Sequence, residues 1–283
     1  MRLEGQRESA NVEDRRGRRM IRGGGVGCGG LLLVIVVALL LGKDPSQLLQ
    51  LLQSTQSGVE QTLPAPGGPG PGQPDQLGQF ARRVLGSTED VWGAIFAQSG
   101  QRYPHPRLVL FSEAAQSACG FSSAAVGPFY CPADQQVYLD LSFFDEMSRR
   151  LGAPGDFAQA YVIAHEVGHH VQNVLGISDQ VTAAQQRARS EAEANQLSVR
   201  LELQADCLAG VWAFHAHQQT KLLEPGDVEE GLNAAAAIGD DRLQGLGQGY
   251  VQPESWTHGS SEQRVQWLRR GLQGGDLNAC KTL

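Results

Sequence analysis

Apolar side chains recur at helical spacing over most of the second half of the chain. From Phe157 they fall at Tyr161, Ala164, Val167, Val171 and Val174. Steps of three and four predict one buried helical face, with Asp156 as N-cap and Gly176 as the stop. Residues 76–98 carry Phe80, Val84, Leu85, Val91, Trp92, Ile95 and Phe96, which predicts a helix pair or one broken helix. Residues 187–219 read as one long helix, with few breakers before Lys221. A last helix runs through Val265, Trp267 and Leu268 to Gly271, capped by Ser260 or Ser261 with Glu262 or Gln263. Two short runs are β-rich, RLVLF at 107–111 and VYLDL at 137–141. The second precedes the 156–174 helix and is expected to be a sheet edge on which an extended peptide pairs. The pattern predicts an α+β domain, mainly helical with a small sheet, beginning near Asp75.

The amino-terminal quarter has a different pattern. Residues 23–42 carry no charge, and 31–41 are continuously apolar. About 20 residues at 1.5 Å each reach roughly 30 Å, the thickness of a bilayer core. Arg15, Arg16, Arg18, Arg19 and Arg22 precede this run, and only Lys43 follows it, next to Asp44. That asymmetry predicts a cytoplasmic amino terminus, with everything after residue 43 outside. A cleaved signal peptide competes, but no A-x-A-like site follows Leu41. The run PAPGGPGPGQP at 64–74 reads as an extended linker. The expected organisation is a basic cytoplasmic arm at 1–22, a transmembrane anchor at 23–42, a spacer and linker at 43–74, and one domain at 75–283. This makes a single-pass protein of the cytoplasmic membrane, with its domain periplasmic or extracellular. The net charge of -7 gives no basic footprint for nucleic acid.

The chemistry concentrates on the 156–174 helix. His165-Glu166-Val167-Gly168-His169 is H-E-x-x-H. Residues i and i+4 share a helix face, so both imidazoles can bind one zinc ion, with Glu166 placed as the base. A third ligand is needed. Glu202 and Asp206 are also i and i+4, on a helix whose neighbours Leu201, Leu203, Ala205 and Leu208 are apolar. A buried carboxylate pair needs a metal or a donor. Two His and one Glu form a catalytic zinc set that leaves a fourth position open. Glu202 is expected to be that ligand, and Asp206 the carboxylate that takes the outer ring N–H of a ligand His. His170 points about 100° away from His169 and is expected to face solvent or to support the site from outside.

His258 lies just before the last helix, and with Arg264 it could donate to a developing oxyanion. The alternative for both is a loop His and a surface Arg. Cys119, Cys131, Cys207 and Cys280 follow the apolar run, and an oxidising compartment predicts Cys119–Cys131 and Cys207–Cys280 disulfides.

HEVGHHVQ, ELQADCLAGVW and THGSSEQR, together with CGFSSAAVGPFYCPADQQVYLDLSFF, resemble a bacterial family of membrane-anchored neutral zinc metallopeptidases. The resemblance covers most of 75–283. More distantly, the order H-E-x-x-H, E-x-x-x-D, then His with Arg six residues on, is similar to gluzincins of the membrane CAAX prenyl protease type. Gly259 stands where those proteases often have Pro. The resemblance implies a zincin-like fold, a single Zn²⁺ on His165, His169 and Glu202, transition-state roles for His258 and Arg264, and a protein or peptide substrate. Two other readings remain: a zinc-stabilised envelope scaffold that binds without cutting, and an enzyme for cell-wall peptides.

Overall fold

The computed structural model describes residues 1–17, 75–123, 127–247 and 249–282. The expected anchor at 23–42 and the spacer and linker at 43–74 lie outside these residues. Among the described residues no helix is long and apolar enough to cross a membrane.

Val12–Asp14 (β1), Arg107–Phe111 (β2), Phe129–Cys131 (β5) and Gln136–Asp140 (β6) form a four-stranded sheet in the order β1-β2-β6-β5. β1 and β6 flank β2 in parallel, and β5 is antiparallel to β6. Ala114–Ser117 (β3) and Gly120–Ser123 (β4) make a separate hairpin. The Cys119–Cys131 disulfide ties this hairpin to β5. VYLDL therefore is not an edge. β6 is paired on both sides, and its side chains from Val137 to Asp140 are buried on both faces, as an interior strand requires. Among the described residues the free edge on that side belongs to β5.

The helices are Gln76–Gln98 (α1), Ser142–Arg149 (α2), Asp156–Val174 (α3), Ile177–Gln185 (α4), Glu191–Thr220 (α5), Asp227–Ala237 (α6), Asp240–Gly247 (α7) and Ser261–Gly274 (α8). α1 is continuous. Its Val84, Leu85, Val91, Trp92 and Phe96 are buried along one stripe. Asp75 caps it through the Gly78 N–H. α8 starts in a capping box between Ser260 and Gln263. Asp156 does not cap α3; it is the first helical residue, after Gly155. The Phe157 N–H is taken instead by Glu230 from α6, so a distant carboxylate replaces the local cap. Gly176, at φ 72, opens α4 in the left-handed region that Gly enters without Cβ strain.

The core lies where α1, α3, α5 and α8 meet beneath the sheet, around Trp92, Phe157, Tyr161, Val211, Trp212 and Leu268. Two backbone approaches set the helix spacing. A Cβ on Gly168 would stand 3.0 Å from the Ala205 carbonyl oxygen, so this glycine lets α3 and α5 close up. On the other side of α5, a Cβ on Gly271 would fall 2.0 Å from the Cys207 carbonyl oxygen, and one on Gly210 would fall 2.3 Å from that of Leu268. Only hydrogen at these positions allows α8 to lie against α5. The Cys207–Cys280 disulfide fastens the segment after α8 to the same helix.

The largest departure from the expected organisation concerns residues 1–16. They are not a separate arm. They belong to the same compact unit as the helices. The sequence hid this strand because VED offers a single apolar residue and no alternation.

Candidate active site

Three side chains from two helices converge because Gly168 lets their backbones approach. His165 and His169 project from one face of α3, one turn apart, and Glu202 comes from α5. Their Nε2 atoms lie 3.2 Å apart. Glu202 Oε2 is 3.1 Å from His165 Nε2, and Oε1 is 3.3 Å from His169 Nε2. Ligands at about 2.0–2.1 Å around a tetrahedral zinc stand roughly 3.3 Å from one another. Two imidazoles and a carboxylate at these separations fit that ion. Among the described residues the three form one of two groups able to hold a metal. The other, Asp156, Asp227 and Glu230, is all carboxylate; Asp156 and Asp227 meet the amino-terminal nitrogen, and Glu230 accepts from the Phe157 N–H.

Each imidazole is aimed by a partner on its outer nitrogen. His165 Nδ1 lies 2.8 Å from Asp206 Oδ1, the role expected of Asp206. Asp206 is fully buried and also accepts from Tyr161 Oη at 2.6 Å, from Arg264 Nη2 at 2.9 Å and from Arg264 Nε at 2.9 Å. Burial opposes its charge, but Arg264 and His165 outweigh burial and bring its pKa to about 2. Burial likewise works against charge on His165, while Asp206 and Glu202 raise it to about 10. Glu202 is pushed up by burial and further down by the two imidazoles, ending well below the usual carboxylate range.

His169 is aimed by a residue that the sequence reading missed. Its Nδ1 donates to Gln172 Oε1 at 2.9 Å. Gln172 Nε2 donates to the Leu201 carbonyl at 2.7 Å and to Gln204 Oε1 at 3.0 Å. Gln204 Nε2 in turn donates to the Cys280 carbonyl at 3.0 Å. Gln172 sits three residues after His169, so the i, i+3 rule could have found it. Replacing Gln172 by Ala should weaken zinc binding about 10–100-fold. A competition titration against a chromogenic chelator measures this, and unchanged affinity would remove Gln172 from the site.

The Glu166 carboxylate has no hydrogen-bond partner among the described residues, although its side chain is largely buried. His258 is placed by a second missed residue, Asp240 at the start of α7. Asp240 Oδ2 accepts from the N–H groups of Thr257, His258 and Gly259 at 2.9, 2.6 and 2.9 Å. Its Oδ1 lies 3.2 Å from His258 Nδ1. The bond to Asp240 raises the His258 pKa, and the Glu202 charge adds to it. Asp240 lies 18 residues before His258, beyond any local pattern.

Two expectations are corrected. Arg264 is not a surface residue, and its guanidinium is turned to Asp206. It is 2 % exposed and committed to Asp206, to Tyr161 Oη at 3.2 Å and to the Ile238 carbonyl at 3.3 Å. Its guanidinium fixes Asp206, and through it His165. His170 does not face solvent. It is fully buried, with Tyr130 Oη donating to its Nδ1 at 3.0 Å and its Nε2 donating to the Pro104 carbonyl at 2.7 Å. Burial lowers its pKa, so a neutral ring pins α3 to the sheet.

A family described as "Putative neutral zinc metallopeptidase" matches residues 1–283. The chain belongs to this family. An uncharacterized Escherichia coli K12 protein, YpfJ, is 50% identical over 296 residues, covering 100% of this chain and 98% of its own. An uncharacterized Mycobacterium tuberculosis H37Rv protein, Rv2575, is 45% identical over 206 residues, covering 69% and 67% respectively. No solved structure matches the chain. Membership of a zinc metallopeptidase family agrees with the donor set of His165, His169 and Glu202.

Proposed function

We propose that the protein is a zinc-dependent endopeptidase acting on the extracytoplasmic side of the membrane. The observation that carries the reading is a three-ligand centre beside a carboxylate, Glu166, that makes no hydrogen bond among the described residues and lies on the helix of the two imidazoles. A purely structural site would gain nothing from that base.

His165, His169 and Glu202 would hold the zinc. Bound there, zinc supplies a Lewis acid that polarises a carbonyl and acidifies water at neutral pH. Glu166 takes the proton of the attacking water on its free carboxylate and delivers it to the leaving amine. His258, its Nδ1 against Asp240, leaves Nε2 free; in the imidazolium form, which that carboxylate favours, it would donate Nε2–H to the carbonyl oxygen as charge builds there. Asp206, Arg264 and Tyr161 hold the His165 ring, and Gln172 holds that of His169. The substrate strand pairs with the free β5 edge, which lies against α3 through Tyr130 and Asn173.

Cys119–Cys131 and Cys207–Cys280 are both bridged, as suits an oxidising space.

Purified protein should cleave an unfolded polypeptide, lose that activity to a chelator and recover it with added zinc. Undiminished cleavage after complete metal removal would sink the proposal. His258→Ala should lower kcat about 10²–10³-fold at unchanged zinc content. A normal kcat would return His258 to the status of a loop residue.

A further inference from the structure

The strand before the apolar run is built into the folded unit after it. β1 pairs in parallel with β2, placing Val12 opposite Leu108, Glu13 opposite Val109 and Asp14 opposite Leu110. The Ser9 N–H donates to the Arg82 carbonyl at 3.0 Å, and Leu3 is buried in the main core. Arg16 Nη1 reaches Asp75, the cap of α1, at 3.1 Å.

The later sequence is shaped to receive this segment. Glu89 on α1 is 2 % exposed. Its carboxylate is held by Ser9 Oγ at 2.6 Å, Arg7 Nη2 at 2.8 Å and Asn11 Nδ2 at 2.8 Å. All three donors come from residues 1–16. Without them α1 would bury a charge stripped of its hydrogen bonds, which a stable core avoids. Gly86, one turn earlier, has its own reason to be glycine, since a Cβ there would lie 2.5 Å from the Arg7 carbonyl oxygen.

We infer that residues 1–16 are an integral part of the folded unit after residue 75 and occupy the same side of the membrane as that unit. An odd number of membrane crossings between residues 16 and 75 would pull β1 from β2 and leave Glu89 without its donors. The arginine asymmetry around 23–42 gives weaker guidance than its count suggests. Arg15 is paired with Glu13, and Arg16 with Asp14 and Asp75, so two of the five arginines serve the fold. The inference is independent of the peptidase reading.

Single-cysteine labelling tests it. Glu4→Cys reports on the amino-terminal segment and Arg149→Cys on the helical part, both exposed positions. A membrane-impermeant maleimide applied to intact cells, read against the parent chain, should label both or neither. Labelling one and sparing the other overturns the inference. A protease site inserted between Gly67 and Gly68 gives a second reading in detergent solution. After cleavage the domain fragment should co-elute with the amino-terminal fragment, and its release would also overturn the inference. Deleting residues 2–16 should lower the thermal midpoint by roughly 10 °C. An unchanged midpoint would show that the segment is dispensable.

Discussion

Replacing Glu166 by Gln should lower kcat/KM on an unfolded polypeptide by on the order of 10²–10⁴-fold. Zinc content and melting temperature should stay close to those of the parent chain. The substitution keeps the shape of the side chain and removes only its ability to take a proton. Among the described residues Glu166 makes no hydrogen bond, so stability has little to lose. It is not among the three ligating groups, so metal content has little to lose either. Parallel metal analysis and single-turnover kinetics separate the outcomes. A variant that cuts as fast as its parent rules out Glu166 as the base. A variant that has lost its zinc shows that the carboxylate serves the metal centre, and it overturns the division of labour between Glu166 and Glu202.

Asp206→Ala should be the most damaging single change away from the metal itself. It removes one carboxylate that serves His165, Tyr161 and Arg264 together, and it leaves a buried guanidinium without its counter-charge. Breaking a buried ion pair from one side costs about 3–5 kcal/mol. For a domain this large that lowers the thermal midpoint by roughly 10 °C. The loss of the His165 contact adds about 10–100-fold in zinc affinity. Calorimetry on metal-free protein isolates the first effect, and a zinc competition titration on protein kept well below its midpoint isolates the second. A full loss of stability with normal affinity would make Asp206 a core residue and no more. The double change Asp206→Leu with Arg264→Met should recover much of the stability but none of the affinity, because an apolar pair can fill the space without aiming an imidazole.

The parts of this site that lie along one helix were legible in the sequence. His165 and His169 share a face by spacing alone, and Glu202 and Asp206 do the same. Their apolar neighbours announced burial, so pairing the two motifs required no tertiary information. Contacts between distant segments were not legible. β6 looked like an edge because its run is short and precedes α3, but strand order depends on partners far away in the chain. Asp240 reaches His258 through backbone N–H groups of a loop, which leave no periodic trace. Arg264 was noticed for its spacing from His258, and its burial could not be read from a polar helix with only a few apolar positions. The first 16 residues were misread for the most physical reason. Arg15 and Arg16 were counted toward the field of a membrane, whereas they answer carboxylates at Glu13 and Asp14.

The two imidazoles of the metal centre answer to different parts of the chain. His165 is steered from α5 and α8 through Asp206 and Arg264, inside the driest part of the core. His169 is steered by Gln172, which is held by the Leu201 carbonyl and, through Gln204, by the carbonyl of Cys280, itself bridged to Cys207. The two ligands are thus oriented by separate chains of hydrogen bonds. The sulfur–sulfur bond therefore belongs to the orientation of His169 as well as to the fold.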